Sequence, residues 1–262
     1  MKQLLTALRD IPEYNTLLAA IDGGGCPAAV SGLSAIHRAY FAAGIHQETN
    51  RPTVVICADE GEAERMARDL SALAGKPVPT LSAREFTFHN AAVASRQWEH
   101  RRLSVLRALA AGECPLLVCT IESLLQRTLP RPLLVQAVRC LRPGDRCDLN
   151  ELAGALTAAG YVRGEQVEGV GQFALRGGIL DFFSPAHEKP VRAELWGDEI
   201  DSLGLFDVGT QRRTENLPAA EILPAAEVLP RQAEGGLEGL AAKLLALAAK
   251  LEKKGAPAAA RL

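Results

Sequence analysis

The sequence predicts an α/β protein in which a parallel-sheet domain is followed by a smaller α+β domain. From Asp10 to Gln126 short apolar runs alternate with amphipathic segments, the order of strands and helices in a parallel sheet covered on both faces. From Tyr161 to Arg213 the apolar residues change to a period of two, the mark of half-buried strands in a small sheet. A length of 262 residues, with 48% apolar and 23% charged side chains, suits two domains with substantial cores.

Along the first part, Asp10 to Ile21 suits a helix, which Gly23-Gly24-Gly25 stops. Pro27 to Val30 reads as a short buried strand running into Ser31-Gly32-Leu33-Ser34, and Ala35 to Ala43 as a helix. Pro52 to Cys57 is a second buried strand. Asp59-Glu60 stands either for charges at a helix start or for a helicase-type acidic motif, and Ala63 to Leu73 is amphipathic. Ala94 to Ala111 forms a longer helix rich in Arg and Leu, and Pro115 to Thr120 a further strand leading into Ile121 to Gln126.

Arg127 to Pro132, with its prolines, reads as the crossing between domains. Leu134 to Leu141 is then expected as the first strand of the second domain, and Arg142-Pro143-Gly144-Asp145 has turn chemistry. Asp148 and Glu151 form a capping box for a helix through Ala159, with Gly160 at its C-cap. In the stretch that follows, Val191, Ala193 and Leu195 alternate with Arg192, Glu194 and Trp196. Gly177-Gly178 marks a bulge or a close backbone approach, and Gly197-Asp198 a tight turn. Arg163, Arg176, Arg192 and Glu194 are expected to emerge from this sheet, where an arginine offers a rigid fork of donors to a carboxylate or a phosphate. Two readings of these arginines stand side by side: pairing inside the sheet with Glu168, Asp181 or Glu194, or an outward docking surface.

After Arg213 a pattern repeats every six residues, Leu217-Pro218 to Leu223-Pro224 to Leu229-Pro230. Prolines at that spacing forbid a regular helix and predict an extended segment. Leu237, Leu240, Leu244, Leu247 and Leu251 then make one helical stripe opposite Lys243, Lys250 and Glu238, and the expectation is that it packs on the chain's own body rather than dimerising, two heptads being short for a coiled coil.

A formal net charge of -2 gives no overall electrostatic case for nucleic acid, although a local basic face could hide within a neutral total. The start of the chain has no signal-peptide pattern and no apolar run reaches a membrane-spanning length, so a cytoplasmic protein without membrane partners is expected. The six cysteines include no C-x-x-C pair and read as reduced thiols. The five histidines carry no metal-ligand spacing, and no nucleophile elbow occurs. The one place for a phosphate loop, Val30 to Arg38, retains only Gly32 of the required glycines, followed by Ser34. No lysine occurs between Lys2 and Lys76, so the residue that would reach the terminal phosphates is missing. No catalytic residue and no metal ligand is assigned.

In order, the central stretch reads Tyr161-x-Arg163, Gly171-x-Phe173-x-x-Arg176-Gly177, Arg192-x-Glu194 and Gly197-Asp198-Glu199-Ile200. These motifs resemble the second domain of the UvrB-homology module, which bacterial transcription-repair coupling factors share with the excision-repair subunit UvrB. The resemblance implies a degenerate RecA/helicase-like parallel-sheet domain over 1–127 and an inserted UvrA-binding α+β domain over 128–208. A third segment, 209–262, would start back toward the first domain. Gly32 and Ser34 would mark a degenerate nucleotide site. Arg163, Arg176 and Phe183, with Arg192 and Glu194, would form the surface that docks UvrA, the damage-scanning ATPase of nucleotide excision repair. The lost phosphate loop, and the lack of tyrosine between Lys76 and Arg96 where UvrB has a DNA-gripping hairpin, side with the coupling factors. By this resemblance the chain binds no cofactor. RNA polymerase, DNA and Mg-ATP would be handled by other parts of a longer, ATP-dependent DNA translocase. The rival readings are a UvrB-like or otherwise diverged NTPase, and a DNA-binding module.

Overall fold

In the computed structural model, which describes residues 5–84, 96–230 and 233–255, the chain divides into two units, Met1–Thr128 and Leu129–Leu262. The first unit contains α1 (Pro12–Asp22), α2 (Ala35–Thr49), β1 (Thr53–Cys57), α3 (Glu60–Ala74), β2 (Thr80–Leu81), α4 (Gln97–Ala110), β3 (Leu116–Thr120) and α5 (Ile121–Leu125). Its strands form a parallel sheet in the order β1-β3-β2. The central strand, β3, is buried along its whole length, as a parallel strand covered on both sides must be. Leu116 and Val118 pack with Tyr14, Ala43, Met66 and Leu70 from the helices on one face. Leu117 and Cys119, with Leu81, meet Val105, Leu106 and Leu109 of α4 on the other. Asp59 is the N-cap of α3, its carboxylate accepting the Glu62 N–H at 2.8 Å, so Asp59 is helix-start chemistry, whereas Glu60 Oε1 accepts the Ala83 N–H at 2.9 Å.

Two expectations for this unit are corrected. Pro27 to Val30 form no strand: residues 22–32 are exposed, because this short apolar run finds no pairing partner. Pro52 to Cys57 does contain a strand, but Val54 and Ile56 are 51% and 54% exposed, since the cluster under α4 reaches β2 and β3 without covering β1. The start of the expected Ala94–Ala111 helix and most of the tyrosine-free segment between Lys76 and Arg96 lie outside the described residues.

The second unit opens with α6 (Arg131–Ala137) and β4 (Arg139–Leu141). The predicted Leu134–Leu141 strand is therefore helix in its first half: Pro132 fits the first turn, Leu134 turns inward, Val138 leaves the helix in extended form, and only Arg139–Leu141 pair as a strand. Then follow α7 (Leu149–Ala158), β5 (Val162–Arg163), β6 (Gln172–Arg176), β7 (Ile179–Phe182), β8 (Val191–Trp196), β9 (Glu199–Phe206), β10 (Arg213–Asn216), β11 (Ala220–Ile222) and α8 (Gly236–Lys253). The Asp148 side chain caps α7 by accepting the Asn150 and Glu151 N–H groups at 2.7 and 3.0 Å. Strands β5 to β10 build a six-stranded sheet in the order β10-β9-β8-β7-β6-β5, and β11 pairs with β4 in a separate ribbon. One face of the large sheet is dry: Phe173, Leu180, Phe182, Val191, Ala193, Ile200 and Leu203 pack with Leu152 and Leu156 of α7 and with Ala220, Ile222 and Ala225.

Residues 209–229, expected to open a third segment, are part of this unit. β10 extends the sheet, and the proline-spaced run contributes β11 (extended, as predicted) and then bends at Ala225 and Glu227, with Ile222, Leu223 and Ala225 buried. Its backbone is fastened by two buried side chains and one half-buried one. The Tyr161 hydroxyl donates to Leu223 O at 2.7 Å, Ser184 Oγ accepts the Leu223 N–H at 3.0 Å, and His187 Nε2 accepts the Glu221 N–H at 3.1 Å. Leu223, Ala225 and Leu229 of this run are buried, whereas Leu237, Leu244, Leu245 and Leu247 of α8 are exposed. None of its residues is buried, which corrects the expectation that its leucine stripe packs on the chain's own body. Among the described residues no helix is long and apolar enough to cross a membrane.

Burial pushes the His187 pKa below its ordinary value of 6.5, and only the unprotonated Nε2 can accept the Glu221 N–H. A depressed folded pKa gives stability that is present above the unfolded value and lost as pH falls through the folded value. The thermal midpoint of the chain should therefore fall on acidification below about pH 6.5, and the His187→Gln variant should show a shallower fall. Scanning calorimetry across that window checks this; identical pH profiles for the two proteins would contradict it.

Candidate functional site

The wet face of the six-stranded sheet is organised by strand register. Partners across an antiparallel pair point to the same side. Arg176 lies opposite Ile179, Asp181 opposite Arg192, and Ile179 opposite Glu194, so these side chains share one face. Their neighbours on the same strands, Phe173, Leu180, Phe182, Val191 and Ala193, fill the core on the other face.

Asp181 is fully buried and receives Arg176 and Arg192. Arg192 donates to it through Nε at 2.7 Å and Nη2 at 2.8 Å, a bidentate fork, and Arg176 Nη2 adds a bond at 2.7 Å. The hydrogen bond to Asp181 raises the Arg192 pKa further. The Arg192 guanidinium also lies 4.8 Å above the Phe206 ring, and its Nη1 donates to Gln211 O at 3.2 Å. Arg192 is thus spent inside the sheet, with 16% of its side chain exposed. Arg176 differs, because 46% of its side chain is exposed and only one nitrogen is bound to Asp181.

Beside this cluster, Glu194 accepts the Ser202 hydroxyl at 2.9 Å and lies 3.4 Å from Arg213 Nη1, with 41% of its side chain exposed. Arg213 reaches it by crossing Gly204, where a Cβ would collide with the guanidinium. Phe183 is half-buried on the same face against Val167, Ala174 and Phe206.

Arg163 departs from the expected grouping. It pairs with Phe173, whose side chain points into the core face, so β5 presents Arg163 on the side opposite to Arg176. At the edge of the sheet it remains exposed, and among the described residues it has no ion-pair or hydrogen-bond partner. The loop between Arg163 and Gly171 breaks the alternation, so a parity rule could not carry Arg163 onto the face of Arg176. The sequence named Asp181 only as one of three internal partners, and Ser202, Phe206 and Arg213 went unassigned. Their pairing is non-local and has no sequence signal beyond the alternation itself.

Gly32 and Ser34 occupy an exposed loop, Gly32 at φ +83°. No strand precedes this loop, and Ser34 Oγ contacts His37 Nδ1 at 2.9 Å instead of capping α2. The strand, turn and helix that would gather N–H groups around a phosphate are not assembled here. Among the described residues no group of three His, Cys, Asp or Glu side chains could hold a metal ion. Burial pushes the Cys57, Cys114, Cys119 and Cys147 thiols up, away from the reactive thiolate.

Removing one member of a buried ion pair leaves an uncompensated charge and costs about 3–5 kcal/mol. Asp181→Ala should destabilise the second unit by that order, since the dry environment then holds Arg192 without its counter-charge. Urea unfolding measures it, and a loss under about 1 kcal/mol, the range of an exposed pair, would show that the cluster is solvent-screened.

Residues 140–227, a span holding the whole six-stranded sheet, match the family described as UvrB interaction domain. Over 261 residues, 97% of its length, the chain is 29% identical to the transcription-repair-coupling factor of Bacillus subtilis strain 168 and covers 22% of that protein. It is 32% identical over 199 residues to the Myxococcus xanthus protein of the same name, covering 73% of this chain and 17% of the relative. With that of Haemophilus influenzae the identity is 34% over 184 residues, 68% of this chain and 16% of the relative. The chain belongs with the transcription-repair-coupling factors, over the fifth or so of their length that it spans, and its second unit carries a UvrB interaction domain.

Proposed function

We propose that this chain is a non-catalytic adaptor that recruits UvrA to sites where transcription has stalled at damaged DNA. The observation that carries the reading is the coincidence of the UvrB interaction domain with a sheet face on which a buried carboxylate holds a half-exposed arginine ready for a partner. An arginine already oriented loses little freedom on binding, and its unbound nitrogens can fork onto a second carboxylate. Arg176, Phe183 and Glu194 form the centre of the docking face. Arg192 supports it from beneath, and Arg163 contributes from the edge as a steering charge.

The first unit is read as a RecA/helicase-like domain that has lost its nucleotide site, and the second as the UvrA-binding domain inserted after it. The exposed Val54 and Ile56 of β1 suit a domain completed by chain beyond these units. In the full-length protein, a cytoplasmic ATP-dependent DNA translocase, the motor part holds Mg-ATP and engages DNA and RNA polymerase. This chain needs no cofactor of its own. The missing lysine and the unassembled loop around Gly32 favour the adaptor over a diverged NTPase.

Truncating a desolvated, charge-paired arginine typically costs about 2–5 kcal/mol of binding and acts on the off-rate, whereas a rim charge acts on the on-rate. Arg176→Ala should weaken UvrA binding at least tenfold through faster dissociation, with Asp181 still neutralised by Arg192. Arg163→Glu should slow association in a salt-dependent way and leave the melting temperature unchanged. Surface plasmon resonance with immobilised UvrA separates the two, and wild-type kinetics for both variants would place the docking surface elsewhere. Titration calorimetry with Mg-ATP should show no saturable heat at micromolar nucleotide; stoichiometric binding would revive the enzyme.

A further inference from the structure

Trp196 is 86% exposed, more than any other large apolar side chain among the described residues. It ends β8, two residues beyond Glu194 and four beyond Arg192. The irregularity between β8 and β9 falls on β9, where Leu195 pairs with Ile200 and Glu194 with Ser202, so the alternation along β8 is unbroken. Trp196 therefore lies on the face of Arg176, Asp181, Arg192 and Glu194.

Its exposure has a local cause. Along the neighbouring hairpin, Gly178 O accepts the Leu195 N–H at 2.8 Å, and a Cβ on Gly178 would lie 2.8 Å from Leu195 O. Gly177 and Gly178 thus bring bare backbone alongside the end of β8, with no side chain to cover the indole. The strand end is also held in place. Asp198 O accepts the Cys147 N–H at 2.8 Å, the Ile200 N–H donates to Asp145 O at 2.9 Å, and the backbones of Arg146 and Glu199 pair in an isolated antiparallel β-bridge. The indole stands on a pinned hairpin tip, beside the glycine turn that directly follows Arg176.

A solvated indole carries a large apolar area and has few rotamers to lose, and aromatic side chains beside arginine dominate binding energy at interfaces. We infer that Trp196 is the aromatic anchor of the docking face, entering an apolar slot of UvrA whose rim offers a carboxylate to Arg176. The inference rests on the proposed docking function and adds to it the shape of the partner surface: a slot wide enough for an indole, flanked by negative charge.

The test measures UvrA affinity for the whole chain and for its Trp196→Ala and Trp196→Phe variants, with thermal midpoints as the folding control. Trp196→Ala should bind at least tenfold more weakly, Trp196→Phe should recover most of the affinity, and neither midpoint should move. A second readout uses fluorotryptophan in a Trp98→Phe chain, where Trp196 is the sole tryptophan. Its fluorine resonance should lose its solvent-isotope shift when UvrA is added. Wild-type affinity in Trp196→Ala, or a resonance that UvrA leaves unchanged, would overturn the anchor while the docking function stands. A wild-type chain that fails to bind UvrA would overturn both. Loss of the isotope shift on concentrating the chain alone would assign the indole to self-association and overturn the inference.

Discussion

A carboxylate without access to water has to be neutralised where it stands, and the second unit builds its wet face around this requirement. Asp181 is buried because β7 runs through the middle of the six-stranded sheet, between β6 and β8. Arg192 meets it from one neighbouring strand and Arg176 from the other, and the two are not equivalent. The bidentate partner is drawn down onto Phe206 and closed off, while the single-bonded one stays half-exposed. The same electrostatic necessity thus yields one structural arginine and one available for recognition. This asymmetry could not have been assigned from residue types, since both positions are arginine in a strand.

The dry face depends on residues far along the chain. A sheet of short strands cannot bury its apolar side with α7 alone, and the proline-spaced segment after β10 completes the core. Proline suits this task because it needs no ladder partner, and Tyr161, Ser184 and His187 meet three of the segment's backbone groups while β4 and Ala159 O meet others. The buried side chains of this unit run on to Leu229, just past the matched span 140–227, and Leu237, Leu244, Leu245 and Leu247 of α8 beyond it are exposed.

Much of the second unit was legible because a sheet with one dry face writes its register into the sequence. Val191, Ala193 and Leu195 alternating with Arg192, Glu194 and Trp196 gave the strand, its buried side and the face of its charges. Gly178 was legible as a close approach, since only a residue without a Cβ fits against Leu195 O. Legibility failed where alternation is interrupted or too short. Arg163 stands before an irregular loop and landed on the other side of the sheet. Leu134 to Leu141 is an apolar run in which periods of two and 3.6 cannot be told apart. Pro27 to Val30 has strand composition but no neighbour to pair with, and pairing is a tertiary fact. The pattern of β1 gave no sign that α4 would leave Val54 and Ile56 uncovered.

The first unit keeps the parallel sheet and flanking helices of an α/β scaffold while the loop around Gly32 lacks the preceding strand and the lysine that phosphate binding requires. In the proposed adaptor, the chemistry of recognition is carried by the sheet face of the second unit. The central claim is that this face, and no surface of the first unit, contacts UvrA. A crystal structure of the chain bound to UvrA tests it most directly. The account predicts a UvrA carboxylate on the free nitrogens of Arg176, with the Asp181 bonds to Arg176 and Arg192 retained. A complex in which Arg176 remains in solvent and UvrA rests on the helices of the first unit would contradict it.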